Sequence, residues 1–178
     1  MARSWERASV PWPRGCWGGI GKAAETIGAK EGTAVGDGLA FRSDLPGHMI
    51  GPDGFTKPGQ LSGTHNLKNA TAALDARGAT YTVNPTSTTG ISELQYTYTN
   101  PATGKVVSGS KTVYDPARFS DQTMVNNAQL AGQQAWTQYL QNPSVRIIDG
   151  THGGVNFRSY INVDSNGNAF IGNVHPIK

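Results

Sequence analysis

The sequence predicts an α+β fold built on antiparallel sheets. Three observations carry that prediction. Two segments, 66–77 and the stretch from Ser120 to about Leu140, show a helical apolar stripe. Short alternating segments dominate the second half and reverse at polar, glycine-containing turns. Strands and helices do not alternate in the manner of a parallel β-α-β sheet.

Asn66 can cap a helix whose face carries Leu67, Ala70 and Leu74, and Gly78 suits its C-terminal stop. Residues 79–84 alternate as a strand. Residues 92–99 and 105–114 read as two more, joined through Asn100–Gly104 into a hairpin. Ser120 can cap a second helix with the stripe Met124, Ala128, Ala131, Ala135 and Tyr139, and Pro143 follows its end. A short strand is expected at Val145–Ile148, with Thr151–Gly154, including His152, as a turn. A longer strand comes next at Val155–Val163. Asp164-Ser165-Asn166-Gly167 then turns the chain into a last strand, Asn168 to about His175. Along it Ile171, Asn173 and His175 alternate and are expected on one face.

Composition bounds the rest. The 178 residues suit one domain with a short extension. Residues 1–36 differ in character from the remainder of the chain. Trp5, Trp12 and Trp17 fall there among prolines and glycines, and only Ile20–Ala29 has a possible helical period. They are expected to be a flexible extension or linker, and 37–178 the folded domain. The start carries no signal-peptide pattern. No stretch approaches the ~20 apolar residues of a membrane helix. Cys16, the sole cysteine, excludes a disulfide framework or a cysteine zinc site. Fifteen basic residues against 12 acidic give a net charge of +3, which permits a polyanionic partner without requiring one.

The residues that can carry chemistry are few. His48 and His65 sit in glycine-flanked segments, Leu45-Pro46-Gly47-His48 and Gly63-Thr64-His65-Asn66, both expected to be loops. Two histidines can share a reaction, one ring taking a proton and the other giving one. Lys111, in Gly109-Ser110-Lys111-Thr112-Val113-Tyr114, shares a strand face with Val113 and can aim a fixed positive charge at a phosphate. Walker A, dinucleotide, HExxH and serine-hydrolase signatures are absent. No carboxylate cluster or histidine spacing supports a metal, so none is expected, nor any cofactor.

The run GHMIGPDGFTKPGQLSGTHN, then GSKTVYDP, then a terminal strand ending in NVHPIK resembles the bacterial EndoU nuclease domains found at the C-terminal ends of contact-delivered toxins. The resemblance covers roughly residues 39–178. The family uses a histidine, a second one soon after and a lysine on a later strand. Here His65 follows His48 by 17 residues and Lys111 follows His65 by 46. Where the family typically carries Thr/Ser-x-Tyr near its end, this sequence has Asn173-Val174-His175.

The resemblance implies antiparallel sheets around a catalytic groove with two or three flanking helices. It implies a metal-independent ribonuclease, acting on tRNA or other cellular RNA. The 2′-hydroxyl attacks its neighbouring phosphate and leaves a 2′,3′-cyclic phosphate and a 5′-hydroxyl. His65 is expected as general base, His48 as general acid and Lys111 as the phosphate's cation, with the two histidine roles exchangeable. Asn173 and His175 are expected to bind the nucleotide. The resemblance further implies secretion or cell-surface delivery as part of a larger toxin, action in the target-cell cytoplasm and a cognate immunity protein. Two other readings stand beside it: a His/His/Lys ribonuclease built like RNase A, and a non-enzymatic β-rich binding module.

Overall fold

The computed structural model describes residues 32–35 and 38–178. The expected extension, with its tryptophans, Cys16 and the segment 20–29, lies outside the described residues except for one strand. That strand, β1 (Gly32–Val35), pairs antiparallel with β2 (Leu39–Arg42), so four residues ahead of the expected boundary join the sheet.

His48 does not lie in a loop. It belongs to α1 (Leu45–Ile50), six residues containing Pro46 and Gly47. So short a helix cannot persist alone. Bonds from elsewhere in the chain hold its C-terminal end. Thr64 N–H donates to His48 O at 2.7 Å and His65 N–H to Met49 O at 2.6 Å. The Thr64 hydroxyl and Asn69 Nδ2 both donate to Ile50 O at 2.9 Å. The carbonyls that a helix end leaves open are thus occupied by the segment that carries the second histidine.

β3 (Pro52–Phe55) and β4 (Leu61–Gly63) form a two-stranded ribbon. α2 (Leu67–Asp75) starts where the sequence predicts: Asn66 Oδ1 accepts from Asn69 N–H. Bonds from Gly78 N–H to Asp75 O and from Ala79 N–H to Leu74 O close it. β5 (Thr80–Pro85), β6 (Ile91–Thr99) and β7 (Val106–Tyr114) make a three-stranded antiparallel sheet in that order. α3 (Asp121–Gln141) is capped by Ser120, which accepts from Thr123 N–H.

β8 (Ile147–His152), β9 (Val155–Val163) and β10 (Ala169–Pro176) complete a five-stranded sheet of order β1-β2-β10-β9-β8. The first of these starts later and runs further than expected. His152 is therefore its last residue, paired with Val155, and the turn is Gly153-Gly154. Every pairing between strands is antiparallel except β10 with β2.

Two apolar cores result. The predicted α3 stripe packs on Phe157, Ile161, Ile171 and Val174, the inner face of the five-stranded sheet. α2 places Ala70 and Leu74 against Leu94, Tyr96, Tyr98 and Val113 of the three-stranded sheet. Each fully buried large side chain contributes about 1.5–3 kcal/mol. The seam between these cores is where the chemistry-bearing residues meet.

Candidate active site

Five residues singled out in the sequence, His48, His65, Lys111, Asn173 and His175, line one cavity of about 460 Å³. They arrive from α1, the β4–α2 junction, β7 and β10. His152 is not among its lining residues.

The backbone around His65 is tightly determined. Gly63 has φ +67, and a Cβ there would come within 2.7 Å of Asp53 N and Gly51 O. Only glycine fits on both counts. Thr64 comes next at φ +47, a conformation that costs a non-glycine residue energy. Its N–H and hydroxyl, both bonded to α1 and its end, keep it there.

His65 then closes the free edge of β7. Its main-chain carbonyl accepts from Tyr114 N–H at 2.7 Å, and its Nδ1 lies 2.7 Å from Thr112 O. A carbonyl oxygen only accepts, so Nδ1 carries the proton and Nε2 keeps a lone pair. Burial holds His65 well below the ordinary histidine range, with the charge of Lys111 adding to the effect.

His48 faces the opposite kind of partner. Its Nδ1 is 2.5 Å from Asp53 Oδ2, and its ring centre is 6.5 Å from that of His65. The Asp53 carboxylate has further neighbours in Ser62 Oγ at 3.4 Å and Arg42 Nη2 at 3.9 Å. Arg42 also pairs with Asp44.

Lys111 lies opposite Leu94 in the β6–β7 ladder, on the face that also buries Tyr96 and Val107. Burial brings its pKa down to about 8, against a raising pull from Asp53. The ammonium is still the majority form at neutral pH.

On β10 the ladder shifts register between Ile171 and Asn173. A Cβ on Gly172 would lie 2.1 Å from Asn162 Nδ2, so the bulge is built on glycine. The extra residue changes the parity of the strand. Ile171 enters the core beside Val174, and Phe170 takes the face of Asn173 and His175. The expected face-sharing of Ile171 with Asn173 and His175 is thereby corrected.

His175 stacks on His65, ring centres 5.2 Å apart and planes within 4°. Its Nδ1 donates to Pro176 O at 3.0 Å. Burial lowers its pKa, and the charges of Lys111 and Arg158 act in the same sense. Asn173 Oδ1 is buried and accepts no hydrogen bond from the described residues. Across the mouth, Lys178 pairs with Glu93 at 2.5 Å and ties the two sheets together.

The bacterial EndoU nuclease family model matches residues 52–178. The chain belongs to that family. It is 31% identical over 150 residues to a tRNA nuclease CdiA of Yersinia mollaretii and 29% identical over 150 residues to a tRNA nuclease CdiA of Escherichia coli STEC_O31. The alignments cover 79% and 78% of this chain but only 5% and 4% of those proteins.

In this EndoU domain the sequence reading missed Asp53. Gly51-Pro52-Asp53-Gly54 has the composition of a turn, and no spacing rule links Asp53 to His48. The available signal was chemical: a carboxylate five residues beyond a candidate histidine. Among the described residues, no group of three or more His, Cys, Asp or Glu side chains is disposed to hold a metal. None of the described helices is long and apolar enough to cross a membrane.

Proposed function

We propose that this chain is the RNA-cleaving domain of a larger bacterial toxin, and that it cuts RNA by transesterification. The carrying observation is the pairing of two differently prepared histidines beside a half-buried lysine in one cavity. The 2′-hydroxyl of one nucleotide attacks the adjacent phosphorus. His65 Nε2, unprotonated because Nδ1 is committed to Thr112 O, takes the hydroxyl proton. His48, as an imidazolium held by Asp53, gives its proton to the departing 5′-oxygen. Lys111 stabilises the charge that builds on the non-bridging oxygens. The P–O bond to the 2′-oxygen forms as the bond to the 5′-oxygen breaks, leaving a 2′,3′-cyclic phosphate and a 5′-hydroxyl. DNA has no attacking hydroxyl and is not a substrate.

Asn173 and His175 hold the nucleotide. The unsatisfied Asn173 oxygen fits a base-edge donor, since a buried acceptor left alone costs about 1–3 kcal/mol. The names of the relatives support tRNA as substrate. The small share of each relative that the match covers supports delivery within a longer chain. Action in the target-cell cytoplasm and a cognate immunity protein over the cavity follow from the proposed toxin role. The test is incubation of total RNA with the protein in excess EDTA, followed by analysis of the new ends. Cyclic phosphates and 5′-hydroxyls are expected. Intact RNA, or ends carrying 5′-phosphate, would overturn the reading.

A further inference from the structure

The five-stranded sheet has α3 on one face only. The other face carries Asn173 and His175, and it continues beyond them. The ladders define its rows. His175 lies opposite Arg158, Asn173 opposite Tyr160, and Phe170 opposite Asn162. From Arg158 to Asn162 the face extends four residues along β9, about 13 Å at ~3.3 Å per residue. Past His175 it opens into a groove of about 1140 Å³ whose lining includes Tyr160, Asn162, Phe170, Ile147 and Arg146.

Tyr160 stands between the two spaces. Its ring stacks on His175 with centres 5.6 Å apart, and it lines the groove as well. Beyond it lie an aromatic ring, Phe170, and an amide, Asn162. Ile147, 56% exposed, is an apolar platform on the neighbouring strand. The cationic partner is Arg146. Arg42, also in the lining, is engaged by Asp44. Arg146 is exposed and makes no ion pair with any described residue. The Asp164 carboxylate at the rim is occupied by the backbone N–H groups of Asn166 and Asn168.

We infer that this groove is a second binding segment for single-stranded RNA, which holds nucleotides flanking the cut phosphate. Base faces stack on Tyr160 and Phe170, and Arg146 meets a phosphate. Rings that alternate with a cation along an open groove are the physical basis of single-strand binding without strict sequence readout. The occupant is RNA because the groove adjoins the nucleotide cavity on the same sheet face, with only the stacked His175 and Tyr160 rings between them. The inference rests on the proposed ribonuclease function.

The experiment compares two lengths of substrate. Cleavage of a dinucleotide, which spans only the cut phosphate, is measured beside binding of a 2′-O-methyl single strand of about ten nucleotides that cannot be cut. Arg146→Glu, on an exposed side chain, and Phe170→Ala are each expected to raise the Kd for the long strand roughly tenfold. Dinucleotide cleavage stays within about twofold, because the groove then stands empty. Arg146→Ala flattens the log Kd against log salt slope by about 0.7, one phosphate's worth. An unchanged Kd for the long strand overturns the inference and leaves the face to a protein partner or another segment of the chain. Equal losses on both substrates overturn it too. If the wild-type protein cuts neither the dinucleotide nor an unmethylated strand of about ten nucleotides, the ribonuclease reading fails, while the Kd values still decide the groove.

Discussion

His65 donates its Nδ1 proton to the carbonyl of Thr112 at 2.7 Å, so one ring both seals the edge of β7 and fixes its own tautomer. The two roles are inseparable. An edge strand leaves open carbonyls and N–H groups, and the site lies where that edge would otherwise be exposed to the groove. Closing the edge with a histidine leaves the Nε2 lone pair free for the proposed base role.

His48→Ala, His65→Ala and Lys111→Ala are each expected to reduce RNA cleavage by about 10²–10⁴-fold. Far-ultraviolet circular dichroism should match the wild type for all three. Near wild-type rates in any one would remove that residue from the mechanism. His152→Ala, at the end of β8 and away from the cavity, should cut normally.

Asp53→Asn tests the support of His48. The amide keeps the shape but loses the negative charge 2.5 Å from His48 Nδ1. A fall in kcat of about tenfold or more is expected, with KM little changed, the pattern of a lost orienting partner. A change confined to KM would mean that Asp53 serves substrate binding instead.

The legible part of this molecule was its local chemistry. Asn66 and Ser120 were readable as caps because capping depends on one side chain and the next turn. The hairpin at Asn100–Gly104 was readable from its turn residues. His48, His65 and Lys111 were readable by residue type and order, though no local pattern tells which histidine is buried. α1 escaped because Pro46 and Gly47 argue against a helix, and its stability comes from Thr64, His65 and Asn69, 14 or more residues away. The Phe170–Asn173–His175 face escaped because one glycine, Gly172, shifts the parity of the strand, and its reason for being glycine lies on β9 at Asn162.

Asn173→Ala and His175→Ala should separate specificity from rate. Loss of the Asn173 amide is expected to broaden the cut-site profile more than it slows cleavage at the preferred site. Loss of the His175 ring, which stacks on both His65 and Tyr160, removes an edge contact to the nucleotide worth about 0.5–1.5 kcal/mol of RNA binding. Sequencing of the cleavage ends, with Kd values for a non-cleavable strand, checks both. Unchanged profiles and affinities would make the last strand scaffold only.

The buried neutral state of His65 has a signature in stability. An unfolded histidine takes up its proton near pH 6.5, whereas folded His65 stays neutral to lower pH. Below about pH 6.5 the unfolded chain therefore binds more protons, and stability falls as pH falls. Between pH 6.5 and 5, before most carboxylates titrate, Tm of the wild type should drop more than that of His65→Gln. His175, shifted in the same direction, adds to the slope. Identical slopes in wild type and variant would show that His65 is not held neutral.

Lys111 gives the opposite trade between stability and function. Its pKa lies at about 8 in the fold, against 10.5 for a free side chain, with burial the main cause. At pH 7 both states are protonated, so the fold carries the whole penalty of a desolvated charge, about 3 kcal/mol at 1.36 kcal/mol per pKa unit. Between pH 8 and 10.5 the unfolded chain binds the extra proton, and the penalty fades as pH rises. Lys111→Met fills the same space without the charge. It should be more stable than wild type at pH 7, by up to about 2–3 kcal/mol in urea denaturation, and inactive on RNA. That advantage should shrink as pH climbs from 8 to 10.5. A variant that is both inactive and less stable at pH 7 would mean that Lys111 belongs to the framework, held by attractive partners, and that its charge is not kept at a cost for the phosphate.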